Sequence, residues 1–403
     1  MNHYILLQSI HGSGGVQCYV AAKAKWLEDN GWHVVVISSC HPRTKRKCLI
    51  DSLNKYISQG NMFTRFHPHE LPKCIVKKQL GKMIKTIGPI VAGEEAIVES
   101  WDCETALWGE LLSSRIHGRH LFWTANEIFR GDKKYAEKMD YFKFKMDRGE
   151  ILTDIPTVNY LFEGYYTYKE SDFIPFIETE DPIQDVKYEQ VDTLQKKDWN
   201  ICYIGRDKKP YVPNVFKGVE EFSKMHLNKQ VQFIVVGKVI EQRALLDSIS
   251  SPNLSIVELG DLYPLPRQLY QKIDVIIAGS GAARHSVDEG ALVISTDTNT
   301  LQSHGLLGYD TQYSIYSETN EPNYSFAEAL ERALVTQDWH KKDFMWTKMP
   351  GVGETMEIQD KIVSKASPDL KYYDETKLLQ GEKKYLMFIK TVVKIYLYNL
   401  LIR

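Results

Sequence analysis

Arg206 directly follows Gly205 at the end of an apolar run over residues 201–204, and Lys208, Lys209 and then Lys217-Gly218 come soon after it. A guanidinium and an ammonium projecting from strand and loop ends can neutralise a diphosphate and the charge that develops as a bond to it breaks. Arg206 is therefore the first candidate catalytic residue, with a surface charge at a strand end as its competing reading. Lys209 or Lys217 assists it, and the irregular segment between them leaves that choice open. Further on, Asp274-Val275-Ile276-Ile277-Ala278 leads into Gly279-Ser280-Gly281-Ala282-Ala283 and a helix-like stretch to Glu289-Gly290, ahead of Val293-Ile294-Ser295-Thr296-Asp297. Small residues opening a helix leave its first N–H groups accessible to a phosphate. A similar turn, Gly12-Ser13-Gly14-Gly15, lies between the strand-like residues 4–7 and a helix-like segment. Val235-Val236-Gly237 and Leu259-Gly260 each close a strand on glycine, which lets backbone approach a nucleotide or a neighbouring helix.

Several chemistries are disfavoured. A dinucleotide fingerprint needs a third glycine where Gln17 stands, and an acidic residue after the second strand, which instead ends in Ser38-Ser39. The 12 histidines form no HxxxH or HExxH pattern, and no Asp-x-Asp strand end suits Mg²⁺, so no essential metal or other cofactor is expected. A net charge of −2 argues against a general nucleic-acid binder, and the basic run Arg43-Thr44-Lys45-Arg46-Lys47 reads as a solvated loop face. Six cysteines without CxxC spacing read as reduced thiols. No signal peptide is evident and no apolar run reaches the roughly 18 residues of a membrane span, so a cytoplasmic protein is expected.

The elements that must position these residues follow one rhythm. At 403 residues, with 43% hydrophobic and 11% aromatic content, the chain can bury two large cores. Strand-like segments (4–7, 34–37, 96–99, 120–124) alternate with helix-like ones (21–30, 105–116), the pattern of a parallel sheet with crossover helices. The pattern dissolves into acidic and polar residues with Pro175 and Pro182 between Glu170 and Trp199, then restarts with strands at 201–204, 232–236, 255–258, 275–278 and 292–295. The expected fold is α/β: two Rossmann-like α/β/α domains, 1–172 and 173–380, facing a cleft, with a C-terminal helix over 381–403.

In order and spacing these features resemble the GT-B glycosyltransferases, most closely family 4 of retaining, nucleotide-sugar-dependent enzymes, over nearly the whole chain. The resemblance implies that Gly14 and Gly15 face the acceptor and the donor phosphates, with Gln17 beside the acceptor. It implies that Gly205 and Arg206 bind the donor diphosphate with a nearby lysine, and that the segments 274–277 and 290–297 frame the nucleotide sugar; Gly237 is expected beside them on its own turn. The family's pair of glutamates separated by seven residues is missing, and His285 falls where the second would stand. Ser280, Gly281 and Ser286 then take over the phosphate and ribose contacts, with Glu289 near the ribose if the helix register differs. The end of a first-domain strand in such enzymes faces the transferred sugar. Here that position is Trp123-Thr124-Ala125-Asn126-Glu127, where Asn126 or Glu127 orients the acceptor hydroxyl or takes its proton, helix capping being the other reading of Glu127. Trp101, at the neighbouring strand end, stacks on a sugar ring or else belongs to the core. Retention of configuration is implied by the resemblance alone.

Residues 381–403 are rich in Tyr, Leu, Ile and Phe, with Lys383, Lys384, Lys390, Lys394 and Arg403 opposed only by Glu382. Such a helix suits the surface of an anionic membrane, and equally an apolar face that packs back on the first domain. On the membrane reading the protein sits peripherally at the inner face of the cell membrane, and the acceptor is a lipid-linked glycan in bacterial capsule or O-antigen assembly. The expected partners are thus a nucleotide-sugar and a glycan acceptor. Two alternatives stand beside the transferase: a non-catalytic nucleotide-sugar-binding subunit, favoured by the missing glutamates, and a nucleotide-sugar 2-epimerase of the same architecture, whose acid-base carboxylates and histidines have no match here.

Overall fold

The computed structural model describes residues 2–9, 15–40, 66–124, 131–154, 156–175, 187–314, 321–348 and 350–380, together with a few single positions and short stretches between them. The chain divides into two compact units, residues 1–180 with 349–403, and residues 181–348.

The first unit carries a six-stranded parallel sheet of β1 (His3–Ser9), β2 (His33–Cys40), β3 (Phe63–Thr64), β4 (Ala96–Ser100), β5 (Arg119–Thr124) and β6 (Ile151–Thr153), in the order β3-β2-β1-β4-β5-β6. Strands buried on both faces read as continuous apolar runs, which is why β1, β2 and β5 were legible while the three-residue β6 was not. Helices α1 (Gly15–Asp29), α2 (Lys73–Ile87), α3 (Cys103–Ile116) and α4 (Met139–Asp147) make the crossovers and cover. Ile5, Leu7, Val35, Val98 and Phe122 pack against Trp108, Leu111 and Leu112 of α3 in its core.

The second unit repeats the plan with β7 (Trp199–Ile204), β8 (Val231–Val236), β9 (Leu254–Gly260), β10 (Val275–Ala278) and β11 (Val293–Ile294), in the order β11-β10-β7-β8-β9, all parallel. Helices α5 (Val212–Met225), α6 (Arg243–Ser248), α7 (Arg267–Lys272), α8 (Ser280–Asp288) and α9 (Phe326–Glu331) complete it. Apolar clusters lie on both sides of the sheet, one with Phe216 and Phe222 of α5, the other with Leu269 of α7 and Ala283 and Val287 of α8.

The second domain is shorter than the expected 173–380. Helix α10 (Val352–Val363) belongs to the first unit, where its Gln359 is buried against Tyr4 and Lys23. Lys23 Nζ donates to Glu99 Oε2 at 2.5 Å and to Gln359 Oε1 at 2.6 Å, and Gln359 Nε2 donates to the Tyr4 hydroxyl at 3.1 Å. Arg119 on the Ser367 carbonyl and the Tyr373 amide on Glu110 fix the return further along, and such contacts leave no shift in composition to mark it. The expected helix over 381–403 lies outside the described residues apart from Ile389.

A second buried network crosses the first unit. Ser100 Oγ lies 2.8 Å from His120 Nε2, His120 Nδ1 lies 3.0 Å from Glu110 Oε2, and Lys145 Nζ lies 3.2 Å from that same oxygen. Ser100, His120 and Glu110 thus stand in the serial order of a nucleophile, base and carboxylate, but all three are sealed in the core, so their role is structural. Burial alone would push the Glu110 carboxyl up; the Lys145 ammonium, the His120 ring and the Tyr373 amide outweigh it and hold the carboxyl at about 2. Its pKa in the fold is depressed, so this contribution is present above its ordinary value of 4.5 and is lost as pH falls towards about 2. We expect Glu110→Gln to lower stability by on the order of 3 kcal/mol at neutral pH, with the gap to wild type closing in acid. Melting curves of both proteins across that range check it; a gap that does not change with pH would refute the assignment.

Candidate functional site

In each sheet the strand order reverses beside the central strand, between β1 and β4 in the first unit and between β7 and β10 in the second. At such a switch point adjacent crossovers leave on opposite faces, and the crevice beyond the carboxyl ends of the strands takes the ligand.

The second unit brings the glycine turns of the sequence to this edge. Gly205 and Arg206 leave β7, and Gly279, Ser280 and Gly281 leave the adjacent β10 to start α8. Gly237 ends β8 with φ +122°, and a Cβ there would lie 2.1 Å from the Gly205 carbonyl oxygen, so only glycine lets the β8 turn lie against the β7 turn. The Gly205 amide donates to Val236 at 3.0 Å and the Gly237 amide to Gly260 at 2.8 Å, which joins three strand ends into one rim. Asp207, which the motif reading passed over, fastens this rim. Its buried Oδ2 accepts from the amides of Ile240, Glu241 (2.5 Å) and Gln242 (3.1 Å), tying the loop after β8 to the turn that carries Arg206. Arg206 itself is exposed.

The two lysines part company. Lys209 lies in the same turn as Arg206, its amide donating to the Arg206 carbonyl, and it is half-buried. Lys217 is exposed on α5, beyond that turn. The geometry therefore favours Lys209 as the companion of Arg206.

At β10, a Cβ on Gly279 would meet Thr296 Oγ1 at 2.4 Å and the Tyr211 hydroxyl at 2.9 Å, so this glycine serves close packing. Ser280 has φ +57°, a sparsely populated conformation for a residue with a side chain, at the first position of α8. Gly281 is exposed with open space around it, the arrangement a close ligand requires. Ser286 and Glu289 do not join this group. The Ser286 hydroxyl is buried and donates to the Ala282 carbonyl at 2.7 Å within its own helix. Glu289 caps the far end of α8, about 13 Å along the axis from Ser280. Asp297 is structural: it is fully buried, 2.7 Å from His304 Nε2.

At the first unit's edge, Gly15 is exposed at the start of α1 and Gln17 is buried in its first turn. Trp101 does not offer its ring to a sugar. It is buried, with Tyr19 at 4.8 Å and Trp123 at 5.2 Å between ring centroids, in an aromatic cluster under α1. Gly14, Asn126 and Glu127 lie outside the described residues. A carboxyl that the motif reading missed, Asp154, follows β6 at this edge. Among the described residues no group of three or more His, Cys, Asp or Glu side chains is placed to hold a metal, and no helix is long and apolar enough to cross a membrane.

No protein-family model matches the chain, and no curated protein matches it. Solved structures do. A protein assigned as a UDP-N-acetylglucosamine 2-epimerase from Listeria monocytogenes is 12% identical over 93% of this chain and 100% of its own, with a TM-score of 0.55. S. aureus MnaA with UDP is 15% identical over 92% and 100%, with a TM-score of 0.54. A glycosyltransferase from Rickettsia africae is 15% identical over 98% and 100%, also with a TM-score of 0.54. The protein has the GT-B-type fold of two Rossmann-like units, similar to these proteins over nearly its full length.

Proposed function

We propose that this protein is a glycosyltransferase that takes a sugar from a nucleotide-sugar, of the kind used by family 4, and adds it with retention of configuration to a glycan acceptor. The observation that carries the reading is the meeting of the Gly205-Arg206 turn and the Ser280-Gly281 helix start at the switch point of the second sheet. The Arg206 guanidinium and the α8 N-terminus supply positive potential from two strand ends, and Asp207 holds the first of them in place. As the bond to the sugar breaks, the departing diphosphate gains charge that Arg206 and Lys209 stabilise. UDP is the first nucleotide to test, because MnaA was solved with it. The acceptor we favour is a lipid-linked glycan in surface polysaccharide assembly, reached through the apolar, basic segment 381–403 at a membrane surface.

A second reading, nucleotide-sugar 2-epimerase, is favoured by the likeness to the Listeria monocytogenes protein. One experiment separates them. The protein is melted with UDP, GDP, dTDP and CMP, and then incubated in D₂O with the sugar conjugate of the nucleotide that binds, with and without glycan acceptors. We expect UDP to raise the melting temperature by mass action, and the acceptor to be required for release of free UDP. Deuterium entering the sugar at C2 without an acceptor would replace the transferase by the epimerase. No melting shift with any nucleotide would overturn both.

A further inference from the structure

Helix α2 of the first unit carries five lysines, Lys73, Lys77, Lys78, Lys82 and Lys85, and no acidic residue. All five are exposed, while Val76, Leu80, Met83 and Ile87 of the same helix are buried in the unit's core. With a helical turn of about 100° per residue, the lysines cover one half of the helix surface and the four apolar residues lie together on the other. Among the described helices of eight or more residues, α2 alone lacks a carboxylate. Two of the others close an ion pair along their own exposed face, Lys25 with Asp29 on α1 and Lys224 with Glu220 on α5.

The charge pattern of α2 works against its own helix. Lys73 and Lys77 are like charges four residues apart, as are Lys78 and Lys82, and Lys73 sits in the first turn, where the helix dipole disfavours a cation. None of the five has an ion-pair partner among the described residues. The acids nearest along the chain are engaged elsewhere: Glu70 Oε2 accepts from the His67 amide at 3.1 Å, and Glu94 Oε2 from the Val91 amide at 2.8 Å. The chain carries a net charge of −2, so this cationic face is a local feature and not the overflow of a basic protein. It runs for about 22 Å, the length of the helix, and the fold makes no use of it.

We propose that the lysine face of α2 rests on an anionic lipid surface. A lysine ammonium is a hydrated point charge on a flexible stem, which suits a plane of headgroup charges, and each one held near such a plane adds to the attraction. Nucleic acid fits the face less well, because the helix has neither an arginine for bidentate contacts nor an aromatic ring on which a base could stack. Helix α2 makes the crossover from β3 to β4 and runs antiparallel to the strands, which turns Lys73 toward the carboxyl edge of the sheet and Lys85 toward the amino edge. A lipid surface along this face therefore passes the edge of the first unit at which the crevice opens, where a lipid-linked acceptor would present its glycan. That last consequence rests on the transferase reading above; the lipid contact itself does not.

The test is flotation of the full chain with vesicles of equimolar phosphatidylcholine and phosphatidylglycerol, and with vesicles of phosphatidylcholine alone. We expect binding to the anionic vesicles only, weakening as salt is raised. The triple variant Lys77→Gln, Lys78→Gln, Lys82→Gln should melt like the wild type, since these exposed side chains hold no element in place, and should bind the anionic vesicles about a hundredfold more weakly. A triple variant that binds as tightly as the wild type overturns the proposal and leaves any lipid contact to residues 381–403. A wild type that binds both kinds of vesicle alike, or neither, overturns it as well. Single-stranded RNA is the control polyanion: a wild type that binds it and not the vesicles replaces lipid by nucleic acid. Vesicle binding is read without turnover, so a wild type that binds anionic vesicles through α2 but no nucleotide-sugar upholds this proposal while the transferase reading falls.

Discussion

Replacing Arg206 by alanine should lower turnover about 10²- to 10³-fold while leaving the melting temperature close to that of the wild type. Both halves follow from its position. The side chain is exposed and holds no element in place, so its loss costs the fold little. Its guanidinium leaves the strand end at the switch point, where a departing diphosphate would gain charge, and no water-exposed cation elsewhere can replace a group already oriented there. Steady-state kinetics at saturating donor check the prediction. A fall in kcat and in kcat/KM by the same factor marks stabilisation of the transition state, whereas a rise in KM alone would reduce Arg206 to a docking contact. Unchanged kinetics would remove it from the site.

Gly237→Ala should have the largest effect on the fold. The new methyl would sit 2.1 Å from the Gly205 carbonyl oxygen, and that atom is backbone, so a side chain cannot swing away to make room. The positive φ adds strain for any residue with a Cβ. We expect a loss of about 3 kcal/mol or more in the stability of the second unit, with weakened nucleotide binding as the turn carrying Arg206 is displaced. Gly281→Ala is the matched control: nothing lies within 4 Å of its Cβ position, and its φ is not in the positive region. Chemical denaturation of the two variants should therefore separate them clearly. Equal stabilities would show that the rim at residues 205 and 237 can open at little cost.

The alternation of the sequence was a good guide to the sheets because parallel strands covered on both faces must be apolar along their length. The four strands that flank the two switch points, β1, β4, β7 and β10, could all be read in this way, and the turns at Gly205, Gly237 and Gly279 followed from glycine's freedom to let backbones approach. Side-chain direction was less legible. Ser286 and Trp101 have residue types suited to a ligand, but helix phase turns the first onto its own backbone and strand alternation turns the second under α1. Asp207 and Asp154 were passed over for the opposite reason. Each is an ordinary acidic residue beside a strand end, distinguished only by its surroundings: three amides on Asp207, and a carboxyl oxygen shut off from solvent on Asp154. The site is thus written in local turns that sequence discloses, and in burial that only the assembled sheet creates.

The polar contact between Lys23 and Gln359 also bears on how the molecule is made. Tyr4, Lys23 and Glu99 emerge early in synthesis, but the partner that completes their network is separated from Lys23 by 336 positions. Until it arrives, a charged pair destined for the interior has one acceptor too few, and the first unit lacks one of its covering helices. Residues 181–348, by contrast, hold every strand of their own sheet in one continuous stretch. The half of the chain translated second is therefore able to mature first, and the amino-terminal half waits for the carboxyl-terminal return to close it.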